Sequence, residues 1–213
     1  MINSMLIFSL IVIIIFNFAF SELIENTEAE FSDTDLLMNY LAAGILWIAF
    51  IFTGMLGLSR SFVVEKDKNN LDGLMLCPTS RVSIYLGKVI SNLVLIFFIE
   101  IATIIFFALF FNYDMSRKFL LMAPILFFGT VGFVIVGALL SAISMNTRNR
   151  EVMLPLLLFP ILIPIIISSV VSTGTILAGG SLQDIRGFLQ LLIAFDIAYF
   201  VASLLTFEYV IEE

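Results

Sequence analysis

The sequence predicts an all-α integral membrane protein of six transmembrane helices, and three observations predict it. Of its 213 residues, 61% are hydrophobic and 13% charged, against about 45–50% and about 25% in ordinary soluble domains. The charges gather between long apolar runs, and runs of about 18 or more such residues read as bilayer spans, because only an internally hydrogen-bonded backbone survives in hydrocarbon. The links between most runs are short, as in a serial up-down bundle.

A helix rising about 1.5 Å per residue needs about 20 residues to cross a core about 30 Å thick. Six segments qualify: residues 1–20, 38–58, 89–111, 119–143, 152–171 and 188–207, together one membrane domain over 1–213. The first has no basic residue in Met1-Ile2-Asn3-Ser4 and no small-residue cleavage pattern at Ser21-Glu22, so it is expected to be a retained helix and not a secretory signal. Residues 112–118 and 144–151 are links short enough to make helices three, four and five antiparallel neighbours. The fourth carries Gly129, Gly132, Gly137 and Ser141, low-profile positions that suit close helix packing. In the fifth, Pro155, Pro160 and Pro164 remove backbone donors and crowd the preceding turn, so this helix is expected to be kinked or broken. Broken helices line pathways in transporters, and a kink absorbed by neighbouring helices is the alternative.

Orientation follows from the basic residues of the short loops, since acids are weak topology signals. The second and fourth loops hold Arg60, Lys66, Lys68, Arg81, Lys88, Arg148 and Arg150, against Arg117, Lys118 and Arg186 in the odd loops. Both termini and the loop 59–88 are therefore expected in the cytoplasm, at a cell or inner membrane. The loop 21–39 is acidic, with Glu22, Glu25, Glu28, Glu30, Asp33 and Asp35, and accounts for most of the net charge of −7. That balance disfavours a nucleic-acid partner.

Cys77 is the lone cysteine and histidine is absent, which removes intrachain disulfides, cysteine-cluster metal sites and the commonest general base. No G-x-x-x-x-G-K-[ST] run occurs, so ATP use through that motif has to be borrowed from another subunit. The nine methionines, and Tyr85, Tyr199 and Tyr209, are read as core or interfacial filling and not as haem ligands. Two acids interrupt apolar runs, Glu100 in the third and Asp196 in the sixth. Each costs about 2.5–3.5 kcal/mol on insertion scales, so each is expected to face the bundle interior, as interhelical glue or in substrate passage. In the loop 59–88, Asn70 can cap a short helix whose Leu71, Leu74 and Met75 share a face and which Pro78 ends. It reads either as an interfacial anchor or as a docking element for a cytoplasmic partner.

The stretch LSRSFVVEKDKNNLDGLMLCPTSRVSIYLGK at residues 58–88 resembles the CcmB family, the membrane subunit of a haem-exporter ABC system of cytochrome c maturation. Leu71-Asp72-Gly73-Leu74-Met75-Leu76, Cys77-Pro78 and Gly87-Lys88 take the places of the family's Gly-Thr-Leu-Glu and leucine-rich turn, its small residue with proline, and its Gly/Ala-Lys. The proline-rich run 154–164 and the terminal Phe207-Glu208-Tyr209-Val210-Ile211-Glu212-Glu213 extend the likeness over nearly the whole chain. Asn69-Asn70 departs from the expected Gly-Thr, and the family's charged segment ahead of the first helix has no counterpart, as if the chain were truncated at its start. The resemblance implies a type-2 ABC permease bundle that pairs with itself and with a CcmA-like ATPase, which binds the ATP. It implies CcmC- and CcmD-like membrane subunits, a CcmE-like haem chaperone, and haem as transported substrate with no cofactor assigned to this chain. It also implies a coupling helix in the loop 59–88, carried by Glu65, Leu71, Asp72, Leu74, Leu76, Pro78 and Arg81. A type-2 exporter of lipid, polysaccharide or drug, and a membrane scaffold without transport, are the alternatives.

Overall fold

A computed structural model describes residues 2–27, 34–61, 73, 80–111, 118–145, 147 and 150–212. The described chain is all helix and turn, with α1 (Ile2–Thr27), α2 (Thr34–Ser61), α3 (Arg81–Phe110), α4 (Lys118–Ser144), α5 (Arg150–Leu177) and α6 (Arg186–Glu212). All six contain a stretch long and apolar enough to cross a membrane.

The helices alternate in direction, and the core records it. One apolar layer takes Met5 from α1, Ile51, Met55 and Leu58 from α2, Val89 and Ile96 from α3, Phe133 and Val136 from α4, and Leu154 and Leu158 from α5. The second takes Ile13, then Leu46 and Phe50, Ile104 and Phe107, Met122 and Ile125, and Ile176 and Leu177. The order of the layers reverses from each of these helices to the next. Most of α2 and more than half of α4 are buried, whereas α1 and α6 are the least buried of the six. Accordingly α2 packs on α1, α3, α4 and α5, and α4 packs on α2, α3, α5 and α6. On α3 the outer stripe Ile90, Val94, Phe98, Ile101, Ile105 and Leu109 is exposed, a surface that only lipid or another apolar surface can cover at low cost.

Most helices outrun their apolar segments, because hydropathy marks the bilayer core while a helix continues past it. The clearest correction is α3, which begins at Arg81 instead of residue 89. Arg81 to Lys88, expected in the loop, are two helical turns. Ser80 is the cause: it sits in extended conformation (φ −68°, ψ 146°), and its Oγ accepts from the Ser83 backbone N–H at 3.2 Å, an N-cap that satisfies one orphan donor. The acidic loop likewise contracts, since α1 runs to Thr27 and α2 starts at Thr34.

A second correction concerns the fifth helix, which is uninterrupted from Arg150 to Leu177 with Pro155, Pro160 and Pro164 inside it. It is not broken; packing against α2, α4 and α6 holds it together where an isolated helix would part. The helix α4 also carries an interior proline, Pro124. At its end α5 closes in a Schellman turn, with Gly180 N–H donating to the Thr175 carbonyl (2.9 Å) and Gly179 N–H to Ile176 (3.1 Å). Gly179 has φ +93°, which favours glycine there.

Candidate functional site

Between the two apolar layers lies a polar seam. The layers change over between Ile99 and Ile104 on α3, Leu126 and Phe133 on α4, and Ile165 and Ile176 on α5. The buried residues in those intervals include Glu100 and Thr103, then Thr130, then Ser168, Ser169, Ser172 and Thr173. Small hydroxyl side chains at the level of two acids let three helices approach closely and meet polar partners in a medium without water.

The turn Gly129–Gly132 of α4 organises this level. Thr130 Oγ1 donates to Glu100 Oε1 at 2.5 Å, tying α3 to α4. Gly132 lies under Asp196 Oδ1 of α6 and Ile165 of α5, both nearer than a Cβ would allow. Gly129 lies under Trp47 of α2 and Ser169 of α5, and Trp47 Nε1 donates to Thr173 Oγ1 at 3.0 Å. Positions 130 and 132 stand about 200° apart around a helix, so the two acids meet the same turn from opposite sides. Glu100 is 3% and Asp196 6% exposed. Glu100 Oε2 and both Asp196 oxygens have no hydrogen-bond partner among the described residues.

A second polar cluster fastens one end of the bundle. The last turn of α2, from which residues 62–79 depart, is held from two sides. Lys88 Nζ of α3 donates to the Ser61 carbonyl (3.1 Å) and Asn92 Nδ2 to Ser61 Oγ (2.9 Å). From α4, Ser141 Oγ donates to the Leu58 carbonyl at 2.7 Å, and Tyr85 Oη of α3 reaches the Ile135 carbonyl of α4 at 2.9 Å. These bonds tie the end of α2 to both α3 and α4.

Of the residues singled out from the sequence, Glu100 and Asp196 are interior, and the structure brings them to one turn of α4. Arg81 opens α3. Pro155, Pro160 and Pro164 lie on α5, on the first-layer side of the seam. Glu65, Leu71, Asp72, Leu74, Leu76 and Pro78 lie outside the described residues; between 62 and 79 only Gly73 is described, helical and exposed. Sequence reasoning missed Thr130 and Asn92, and it read Ser141 only as a small packing position and Lys88 only as a loop base, without their contacts to α2. Lys88 and Asn92 stand four apart, a spacing that places them on one helix face, and that signal was available once α3 was allowed to start at its Ser80 cap. Among the described residues, no group of three or more His, Cys, Asp and Glu side chains could hold a metal ion.

Fold and interior together define a polytopic helical membrane protein, with acids buried at mid-helix and a polar clamp beside one large loop. The chain belongs to the CcmB family, whose model, described as CcmB protein, matches residues 1–211. It is thus a membrane permease subunit of the Ccm haem-export system of cytochrome c biogenesis. A comparison with curated proteins gives no match.

Proposed function

We propose that this chain is the permease of an ABC complex in which a separate CcmA-like ATPase binds and hydrolyses ATP, and that the loop 59–88 receives the ATPase motion. The family match over residues 1–211 carries this reading. The clamp of Ser61 to Lys88 and Asn92 supports it, because it ties the end of α2, from which the segment 62–79 departs, to the second and third turns of α3, so a push on that segment biases both helices. The basic residues gathered at the second and fourth loops support a cytoplasmic position for that loop and for both termini. The complex contains two copies of this chain with CcmC- and CcmD-like subunits, and its ATP cycle serves delivery of haem to a CcmE-like chaperone.

The test is co-purification of the chain with its candidate ATPase, comparing wild type with Leu74→Asp combined with Leu76→Asp. Loss of association and of ATPase stimulation is expected. Full association and full stimulation in the double variant would remove the coupling role of the loop.

A further inference from the structure

The helix α5 is built of two unlike halves. In residues 150–164, Pro155, Pro160 and Pro164 each lack the N–H that a helix donates to the carbonyl four residues back, so the Leu156 and Pro160 carbonyls lose their usual donors. Just past the last proline, Ser168 Oγ donates back to the Pro164 carbonyl at 2.7 Å, a bond of the kind that bends helices. This half is held by apolar contact: Leu154, Leu158 and Leu162 are buried in the first layer, and Phe159 meets Phe52 of α2 at 5.8 Å. Such contacts are non-directional and can be remade after a tilt. Residues 165–177 are instead bonded to their neighbours. Trp47 Nε1 of α2 donates to Thr173 Oγ1 at 3.0 Å. Thr175 Oγ1 donates its own proton to the Val171 carbonyl (2.9 Å) and so accepts from Tyr40 Oη of α2 at 3.2 Å. Lys118 Nζ of α4 donates to the Leu177 carbonyl at 2.8 Å, and the Tyr40 ring fills the space where a side chain at Gly174 would stand.

We propose that α5 is a hinged arm: residues 165–177 stay fixed to α2 and α4 while residues 150–164 swing about the turn from Pro164 to Ser168. The bundle then opens at the end where Ser61 is clamped and remains closed at the other, the one-ended opening that alternating access requires. Bending an ordinary helix stretches its main-chain bonds, whereas here the bonds that would resist are absent by chemistry. The first half of α5 shares its apolar layer with Leu58, close to where residues 62–79 leave α2, so the arm lies at the end of the bundle that carries the large loop. Val152 lies about 18 Å along the helix from Pro164 at about 1.5 Å per residue, and a bend of about 20° moves it by about 6 Å.

Nitroxide pairs at exposed positions, attached to cysteines introduced in a Cys77→Ser background, test this on the full chain in phosphatidylcholine nanodiscs by electron-resonance distance measurement. Val152 with Ile90 reports the first half of α5 against α3, and Leu56 with Ile90 reports α2 against α3 at the same end. Ala178 with Leu120 reports the far end of α5 against α4. The distance distribution of the first pair is expected to be about 6 Å broader than those of the other two. Pro160→Ala combined with Pro164→Ala restores two main-chain donors and should narrow the first pair to the width of the others, with the other two pairs unchanged. The comparison of the three pairs with all prolines in place stands even if that double variant folds poorly. A first pair as narrow as the others overturns the hinge, and so does a breadth that survives both alanines in a folded variant. Equal breadth in the Leu56–Ile90 pair assigns the movement to α3 and overturns it too. Because the readout is a distance within this chain alone, its failure is separate from any failure of the ATPase-coupling reading.

Discussion

Thr130 joins two helices through one hydrogen bond to Glu100, and both groups are buried. Thr130→Val leaves a second carboxyl oxygen unpartnered and is expected to destabilise the solubilised protein by about 1–3 kcal/mol; Thr130→Ser retains the donor and most of the stability. Thermal unfolding in detergent distinguishes the two. Asp196 is the opposite case, because neither oxygen is partnered. Asp196→Leu replaces a buried acid that has no partner among the described residues by an apolar side chain, so the unfolding midpoint should rise while cytochrome c maturation in a complementation assay falls; a rise without functional loss would make the acid dispensable. Gly132→Ala pushes a Cβ against Asp196 Oδ1 and the Ile165 δ-methyl; these side-chain ends can turn away, so the overpacking cost is offset by the helix gain of about 1 kcal/mol, and the unfolding midpoint should change little while the Asp196 carboxyl is displaced. The two acids were legible in the sequence because a carboxyl in an apolar run is expensive. Their convergence on one turn of α4 was not, because it depends on the rotational register of three helices, which hydropathy does not encode. Thr130 was illegible for a related reason: a threonine in a membrane helix satisfies itself as readily by bonding back to its own helix as Thr103 does to Ile99.

At the level of elements, six apolar runs gave six helices, and the errors fell at their ends. The reading of 81–88 as loop followed from Arg81 and Lys88, whose charges suit an interface as well as a loop. Ser80→Ala should fray the first turn of α3 at a cost of about 1 kcal/mol, visible as faster hydrogen exchange at Ser83 and Ile84. The prolines of α5 did not break the helix, because the neighbours packed on it were not part of a reading made one proline at a time. The link between α5 and α6 carries a pH dependence. Ser181 donates its backbone N–H and its hydroxyl to Asp184 Oδ2 (2.8 and 2.9 Å), and these bonds, the backbone one foremost, hold the exposed carboxyl below its ordinary value. A depressed carboxyl contributes fully above its unfolded value and loses its contribution as pH falls through the folded one. The Ser181 amide should therefore stay protected at neutral pH and exchange faster only under strong acid. Asp184→Asn should remove that pH dependence.

Across the whole molecule, the clamp at the end of α2 makes a prediction separable from docking of the loop. Lys88→Ala combined with Asn92→Ala releases Ser61 from α3 and keeps Leu74 and Leu76 of the loop in place. The variant should still co-purify with the ATPase yet lose most of the haem-delivery output per ATP hydrolysed; an unchanged ratio would confine the clamp to stability. The opposite end is tied differently, by Lys118 Nζ to the Leu177 carbonyl (2.8 Å) and Asn17 Nδ2 to the Phe110 carbonyl (3.0 Å). The bundle is therefore laced at both ends, with two interlocked apolar layers between. Between those layers, the hydroxyls and glycines of the seam pack with Trp47 and Ile165. Because α1 to α5 each run unbroken from one layer into the other, neither layer can slip past its neighbour, and a displacement at the α2 clamp has to be carried through the seam along the helices themselves.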